Sequence, residues 1–141
     1  MLLVLDSNEY IFAFGPSVSS TPRLLIKTIL DKFPIRSIRL PRLITAEVQR
    51  NLSFEANRKF IDFVSSLTNI DEDYVVPFEL GAKYEALGFK EADAFISAYT
   101  EWVGADALVT ENRHFLKLSK DLPFIIVTSE ECLRLIKLPR G

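Results

Sequence analysis

A chain of 141 residues, 48% apolar and 26% charged, has the size of one average domain and the composition of a globular one. Its net charge of −2 excludes a molecule-wide field drawing it to nucleic acid or anionic lipid, so such binding has to come from a local basic strip or from held cations. One cysteine, Cys132, and one histidine, His114, exclude an internal disulfide, a thiolate metal cluster and a His-rich zinc site, which leaves oxygen ligands and favours Mg2+ or Mn2+ for any metal.

Residues 2–5 form a short apolar run ending at Asp6, the pattern of a strand buried on both faces. The run lacks a basic leader and is interrupted by Asp6, so it reads neither as a signal peptide nor as a membrane span, and a cytoplasmic setting is expected. Residues 10–14 predict a short helix stopping near Gly15 and Pro16, followed by a Ser-rich loop over 17–21. Thr21-Pro22 opens the next helix, with Leu24, Leu25, Thr28, Ile29 and Phe33 at helical spacing up to Pro34. Residues 35–40 alternate apolar with polar and predict a strand or its remnant. Pro41 then opens a helix to about Asn51, and Ser53 caps another that faces inward through Phe60, Phe63, Val64 and Leu67.

Val75 and Val76 suggest a short strand, and residues 78–87 a helix stopped by Gly88. A clear helix is expected over 91–103, with Ala92, Phe95, Ile96, Tyr99 and Val103 on one stripe. Residues 107–110 and 124–127 read as buried strands, 112–118 as a helical turn, and Ser129 as the start of a terminal helix whose Cys132 is a buried small hydrophobe. No repeat, low-complexity segment or linker divides the chain, so a single domain over 1–141 is expected. Helices alternating with short β-rich runs predict an α/β fold of parallel strands with helices on both faces. Ligand sites in such sheets lie beyond the carboxyl ends of the strands, where Asp6 and Thr110 both fall.

Asp6 is the sharpest single feature, a carboxylate on rigid backbone that would equally serve as a helix N-cap. Glu47 borders the core from a helix whose Leu43 shares its face; its ordinary alternative is a surface pair with Arg50. Asp93 lies in a first helical turn, where an acid suits the macrodipole, and Ser97 and Thr100 make its side unusually polar. Thr110, Glu111, Asn112 and His114 follow a strand. Thr110 and Asn112 would orient a neighbouring carboxylate or water, Asn112 would also cap the next turn, and His114 reads as packing or surface. Carboxylates gathered together are tolerable only if protonated or neutralised by a cation.

The order of these motifs carries a resemblance. An apolar strand into LDSN, a helix with TAEV ending QRNL, the helix start KEADAFISAY and the segment GADALVTENRHF together resemble the PIN domain, over residues 2 to about 135. The resemblance implies a three-layer α/β/α fold with a central, mostly parallel sheet and metal-dependent ribonuclease activity, and it points to the toxin components of prokaryotic toxin–antitoxin pairs. Asp6, Glu47 and Asp93 match the family's first three acids and would hold Mg2+ or Mn2+; Thr110 matches the Thr preceding the fourth acidic position, and Asn112 stands where that acid is often Asp. One well-held ion rather than two is therefore expected. Partners implied are RNA, a small antitoxin that puts a basic side chain among the acids, and a second copy in a homodimer. The alternative is a module that binds RNA or protein without cutting. Arg36, Arg39, Arg42, Arg50 and Arg58 read first as scattered solvated charges, with a phosphate-tracking strip as the alternative. A haloacid-type phosphatase fits less well, because the second residue after Asp6 is Asn8.

Overall fold

A computed structural model describes residues 1–16, 20–32, 37–118 and 120–137. Phe33, Arg36, residues 17–19 of the Ser-rich loop and the start of the expected strand at 35–40 lie outside the described residues.

The sheet begins with β1 (Leu3–Leu5), all three residues of which are buried. It pairs in parallel with β4 (Ala107–Val109), which pairs in parallel with β5 (Ile125–Val127), giving the order β1-β4-β5. On the other edge of β1, Leu3 forms an isolated parallel bridge with Ile38. A second parallel pair joins β2 (Leu40–Pro41) to β3 (Ile70–Asp71). The expected strand over 35–40 thus survives as a bridge and a two-residue strand. The strand expected at Val75 and Val76 is corrected: residues Asp73–Val75 make one 3-10 turn, and pairing falls earlier, on Ile70 and Asp71. Pro77, which has no N–H, closes off any ladder there.

Strand order reverses between β1 and β4, since chain progress leads from β1 toward Ile38 on one side while β4 and β5 lie on the other. Right-handed crossovers place the helices that follow β1 and those that precede β4 on opposite faces. On the first side α1 (Ser7–Phe14) packs against α2 (Thr21–Lys32), and α2 against the terminal helix α8 (Ser129–Lys137). On the second, α5 (Phe78–Ala86) packs against α6 (Glu91–Trp102), which meets β4. α3 (Arg42–Arg50) and α4 (Phe54–Leu67) close against α1, and the short α7 (Arg113–Lys117) lies between β4 and β5. This is a mixed α/β fold around a central parallel sheet.

α1 starts earlier than its apolar residues suggest, because Asp6 caps it by accepting a hydrogen bond from the Ser7 amide. α4 is capped as expected by Ser53 Oγ and buries Phe60, Phe63, Val64 and Leu67. α6 departs from its expected stripe: Ala92 is exposed, and Ala94, Ile96, Ser97, Ala98, Tyr99 and Thr100 are buried. The helix is covered on more than one side, which a single amphipathic stripe does not anticipate. Thr100 satisfies its hydroxyl by donating to the Ile96 carbonyl, 2.7 Å away.

Tyr10 and Phe14 of α1 meet Phe60 edge-on, at centroid separations of 5.2 and 5.8 Å, and Phe60 is fully buried. This aromatic cluster fixes the helix that begins at Asp6. Truncating Phe60→Ala should lower unfolding free energy by about 3–5 kcal/mol, the range for emptying a buried aromatic site. Denaturant titration would measure it, and a loss below ~1 kcal/mol would show that the cluster is not part of the cooperative core.

Candidate metal centre

The site is built on two adjacent strand ends. The ladder runs one residue past each strand, with the Asp6 amide donating to the Val109 carbonyl and the Thr110 amide to that of Val127, each at 2.9 Å. Asp6 and Thr110 are thereby held side by side, and the Thr110 hydroxyl donates to Asp6 Oδ2 at 2.8 Å. The other oxygen of Asp6 accepts from the Ser7 amide at 2.8 Å and from Ser7 Oγ at 3.3 Å. Ser7 Oγ also lies 2.7 Å from Glu47 Oε2, so one hydroxyl links the acid of α3 to the acid after β1.

Burial raises the Asp6 pKa above the ordinary carboxylate value, against the lowering pull of Thr110 and Ser7; Glu47 and Asp93 add repulsion. Asp93, half-buried in the first turn of α6, is likewise raised chiefly by burial, while His114 and Lys90 pull it down and Glu47 pushes it up. The three acids therefore face one another electrostatically from three separate elements. Among the described residues, however, no three His, Cys, Asp or Glu side chains stand as a ready-made ligand set around one point. The donor chemistry is all oxygen and suits a hard divalent cation, held by few direct carboxylates with water completing the shell.

Asn112 does the capping job: its Oδ1 accepts from the His114 amide at 2.9 Å, and its own amide donates to Thr110 Oγ1 at 3.0 Å. Glu111 accepts a hydrogen bond from the Ser129 amide at the start of α8, at 3.1 Å. Glu47 makes no ion pair with Arg50 among the described residues; its partner is Ser7. Two of the arginines weighed for a phosphate strip have carboxylate partners. Arg39 is spent on Asp71, with Nε and Nη2 each 3.0 Å from a carboxylate oxygen, and Arg42 pairs with Glu72 at 2.8 Å. Tyr99 donates to the same Asp71, so Asp71 ties β3 both to Arg39 and to α6. Arg50 and Arg58 are exposed on α3 and α4. The basic side chains that act on the acids are instead Lys90 and His114, both exposed, and the isolation of His114 in the sequence concealed it.

Glu9 is the residue that sequence reasoning missed. It is 0% exposed, and neither carboxylate oxygen meets a donor among the described residues. Burial, and then the facing Glu111 carboxyl, push its pKa up to about 10, with Asp6 adding repulsion. With burial and the Glu111 carboxyl both favouring its protonated form, Glu9 is neutral at pH 7 and holds its proton toward Glu111. One signal was available: Glu9 precedes buried Ala13 by four residues, which puts both on the same face of α1.

No protein-family model matches the sequence, and neither does any curated protein. The structure is similar to a chain in the crystal structure of VapBC2 from Rickettsia felis bound to a DNA fragment from their promoter, with a TM-score of 0.59 at 20% sequence identity. The match covers 90% of this chain and 97% of that one. The fold is PIN-like. In this PIN-like fold the acids sit where the strand order reverses, the position at which open parallel sheets form ligand crevices. No helix among the described residues is long and apolar enough to cross a membrane.

Glu9 makes stability depend on pH in a definite sense. Its folded-state pKa lies above its unfolded value, so its proton is held by the native state while the unfolded chain releases it. The native state is favoured least at high pH: this contribution is intact below about pH 4.5 and is lost as pH rises toward about 10. Glu9→Gln keeps a donor for Glu111 without a proton to lose. Its unfolding free energy should fall less steeply with pH than that of the wild type, by up to about 1.4 kcal/mol per unit. Parallel slopes across pH 5–9 in chemical denaturation would sink the shared-proton reading.

Proposed function

We propose that this protein is a Mg2+- or Mn2+-dependent endoribonuclease that hydrolyses RNA phosphodiester bonds. The observation carrying the reading is Asp6 at the reversal of strand order, oriented by Thr110 and tied through Ser7 to Glu47, with Asp93 facing both. Asp6, Glu47 and Asp93 would hold the ion directly or through water, and such an ion supplies water activation and charge neutralisation at phosphate.

The chain's own contributions follow from the geometry. Thr110 keeps Asp6 in one rotamer, and Ser7 prevents Glu47 from drifting out of α3's inner face. Lys90 and His114, whose fields reach Asp93, would meet phosphate oxygens that the acids alone would repel. With Glu111 held by α8 and Asn112 committed to capping α7, the site offers charge for one ion rather than two. The same two residues favour the competing reading, a module that binds RNA or a protein partner without cutting.

The VapBC2 structure is a complex, and by that likeness we propose a small antitoxin as this chain's partner, a homodimer as its state and the cytoplasm as its setting. Recovery of a small co-purifying protein, and sedimentation as a dimer, are the results expected.

Purified protein should cleave single-stranded RNA when Mn2+ is added and not in chelator. Asp6→Asn and Asp93→Asn should each reduce the rate by about 10²-fold or more, the scale for removing an electrostatic stabiliser from a transition state. Wild-type protein that binds RNA yet shows no metal-dependent cleavage would overturn the enzyme and leave the binding module.

A further inference from the structure

Beside the acids lies a cleft of about 720 Å3, enclosed by the start of α3, the 3-10 turn, α5 and the start of α6. Its size falls within the roughly 300–1,000 Å3 of sites that take small molecules or single groups of larger ones. We propose that this cleft is the base-binding subsite of the nuclease, taking an unstacked RNA base that carries an exocyclic amine, next to the phosphate at the acids. The proposal rests on the ribonuclease reading for what occupies the cleft.

Continuity is the first argument. Leu43, on the cleft wall, precedes Glu47 by one turn of α3, and Lys90, Glu91 and Ala92 run along the wall directly into Asp93. Lys90 therefore borders both the cleft and the acid group, where the backbone phosphate linking a bound base to the scissile bond has to pass.

Shape is the second. Phe78 on the α5 wall is 86% exposed, an aromatic face largely uncovered by protein, and half-buried Phe95 lines the same cleft from α6. One turn along α5 from Phe78 the wall is Gly81, where an added Cβ would meet nothing within 4 Å. A flat ring has an open slot there, and aromatic side chains stack on any base.

Charge selects the kind of base. Asp73, Glu85 and Glu91 line the cleft against the one cation Lys90, so a phosphate backbone is kept to the mouth while a neutral base enters. Asp73 already accepts from the Leu43 amide at 3.0 Å, which leaves Glu85 and Glu91 as acceptors for a ligand's N–H groups. Adenine, cytosine and guanine offer amines to a carboxylate; uracil flanks its single ring N–H with two carbonyls that a carboxylate repels.

Binding can be read without cleavage by using the full chain carrying Asp6→Asn and measuring fluorescence anisotropy with short oligo(A) and oligo(U) ribonucleotides. Oligo(A) should bind about tenfold more tightly than oligo(U), a difference of about 1.4 kcal/mol. Adding Gly81→Phe fills the slot from a position with room for a side chain, and should weaken oligo(A) about tenfold without lowering the melting temperature. Phe78→Ala, which removes the exposed ring and fills nothing, should do the same and carries the test if Gly81→Phe fails to fold. Unchanged oligo(A) affinity in a folded variant overturns the subsite even if the wild type cuts RNA. Loss of affinity in both variants, with wild-type protein inert toward RNA in Mn2+, upholds the base site and overturns the nuclease. Failure of any oligoribonucleotide to bind, with a basic apolar peptide held by the parent and released by Gly81→Phe, assigns the cleft to a protein partner and overturns the proposal.

Discussion

The hydrogen bond from Thr110 to Asp6 joins the two halves of this molecule. It spans 104 residues of sequence and forms at full burial, where an unmade bond to a carboxylate would leave both groups stranded. It exists because β1 and β4 are neighbours in the sheet and each ladder continues one residue past its strand. Everything that approaches the acids has to respect this pair. Ser7 and Glu47 organise around the second oxygen of Asp6, and Asn112 donates its amide to the hydroxyl of the same Thr110. Position of the acids is thus decided by backbone pairing rather than by flexible loops.

Around that bond the molecule tolerates a concentration of negative charge that burial alone would forbid. Three devices share the load. Hydroxyl and amide donors pull the Asp6 pKa down; Lys90 and His114 do the same for Asp93; and Glu9 stays neutral by holding a proton against Glu111. The last has a structural return. Glu111, anchored between Glu9 and the first amide of α8, couples the loop after β4 to the terminal helix. Beyond the acids, Arg39, Asp71 and Tyr99 brace the two-residue strand β3 against α6, which explains how so short a strand keeps its place.

Much of this was legible from the residues because it is local or periodic. A continuous apolar run announced β1, a Ser cap and four spaced apolar residues announced α4, and an acid directly after a buried strand marked Asp6. What escaped is set by partners far away in sequence. β3 has no apolar pattern of its own, since Asp71 is half of it and its stability comes from Arg39 and Tyr99. Arg39 and Arg42 read as free cations until Asp71 and Glu72 are seen opposite them. Glu9 sits in a first helical turn, where an acid needs no special reason, and only the packing of α8 and the loop after β4 makes it a buried one. Ser97 and Thr100 looked like a polar face because the covering of α6 on several sides is a property of the assembled layers.

Asn112 has a consequence for how this site can change over time. Its side-chain oxygen does a job that Asp does equally well, since the two are near-equivalent at a helix N-cap. Exchange between them alters charge by one unit while leaving α7 and the loop intact. The corner of the site nearest α7 can therefore gain or lose an acid through a single mutational step that folding does not oppose. The charge of that corner is thereby uncoupled from the fold that carries it.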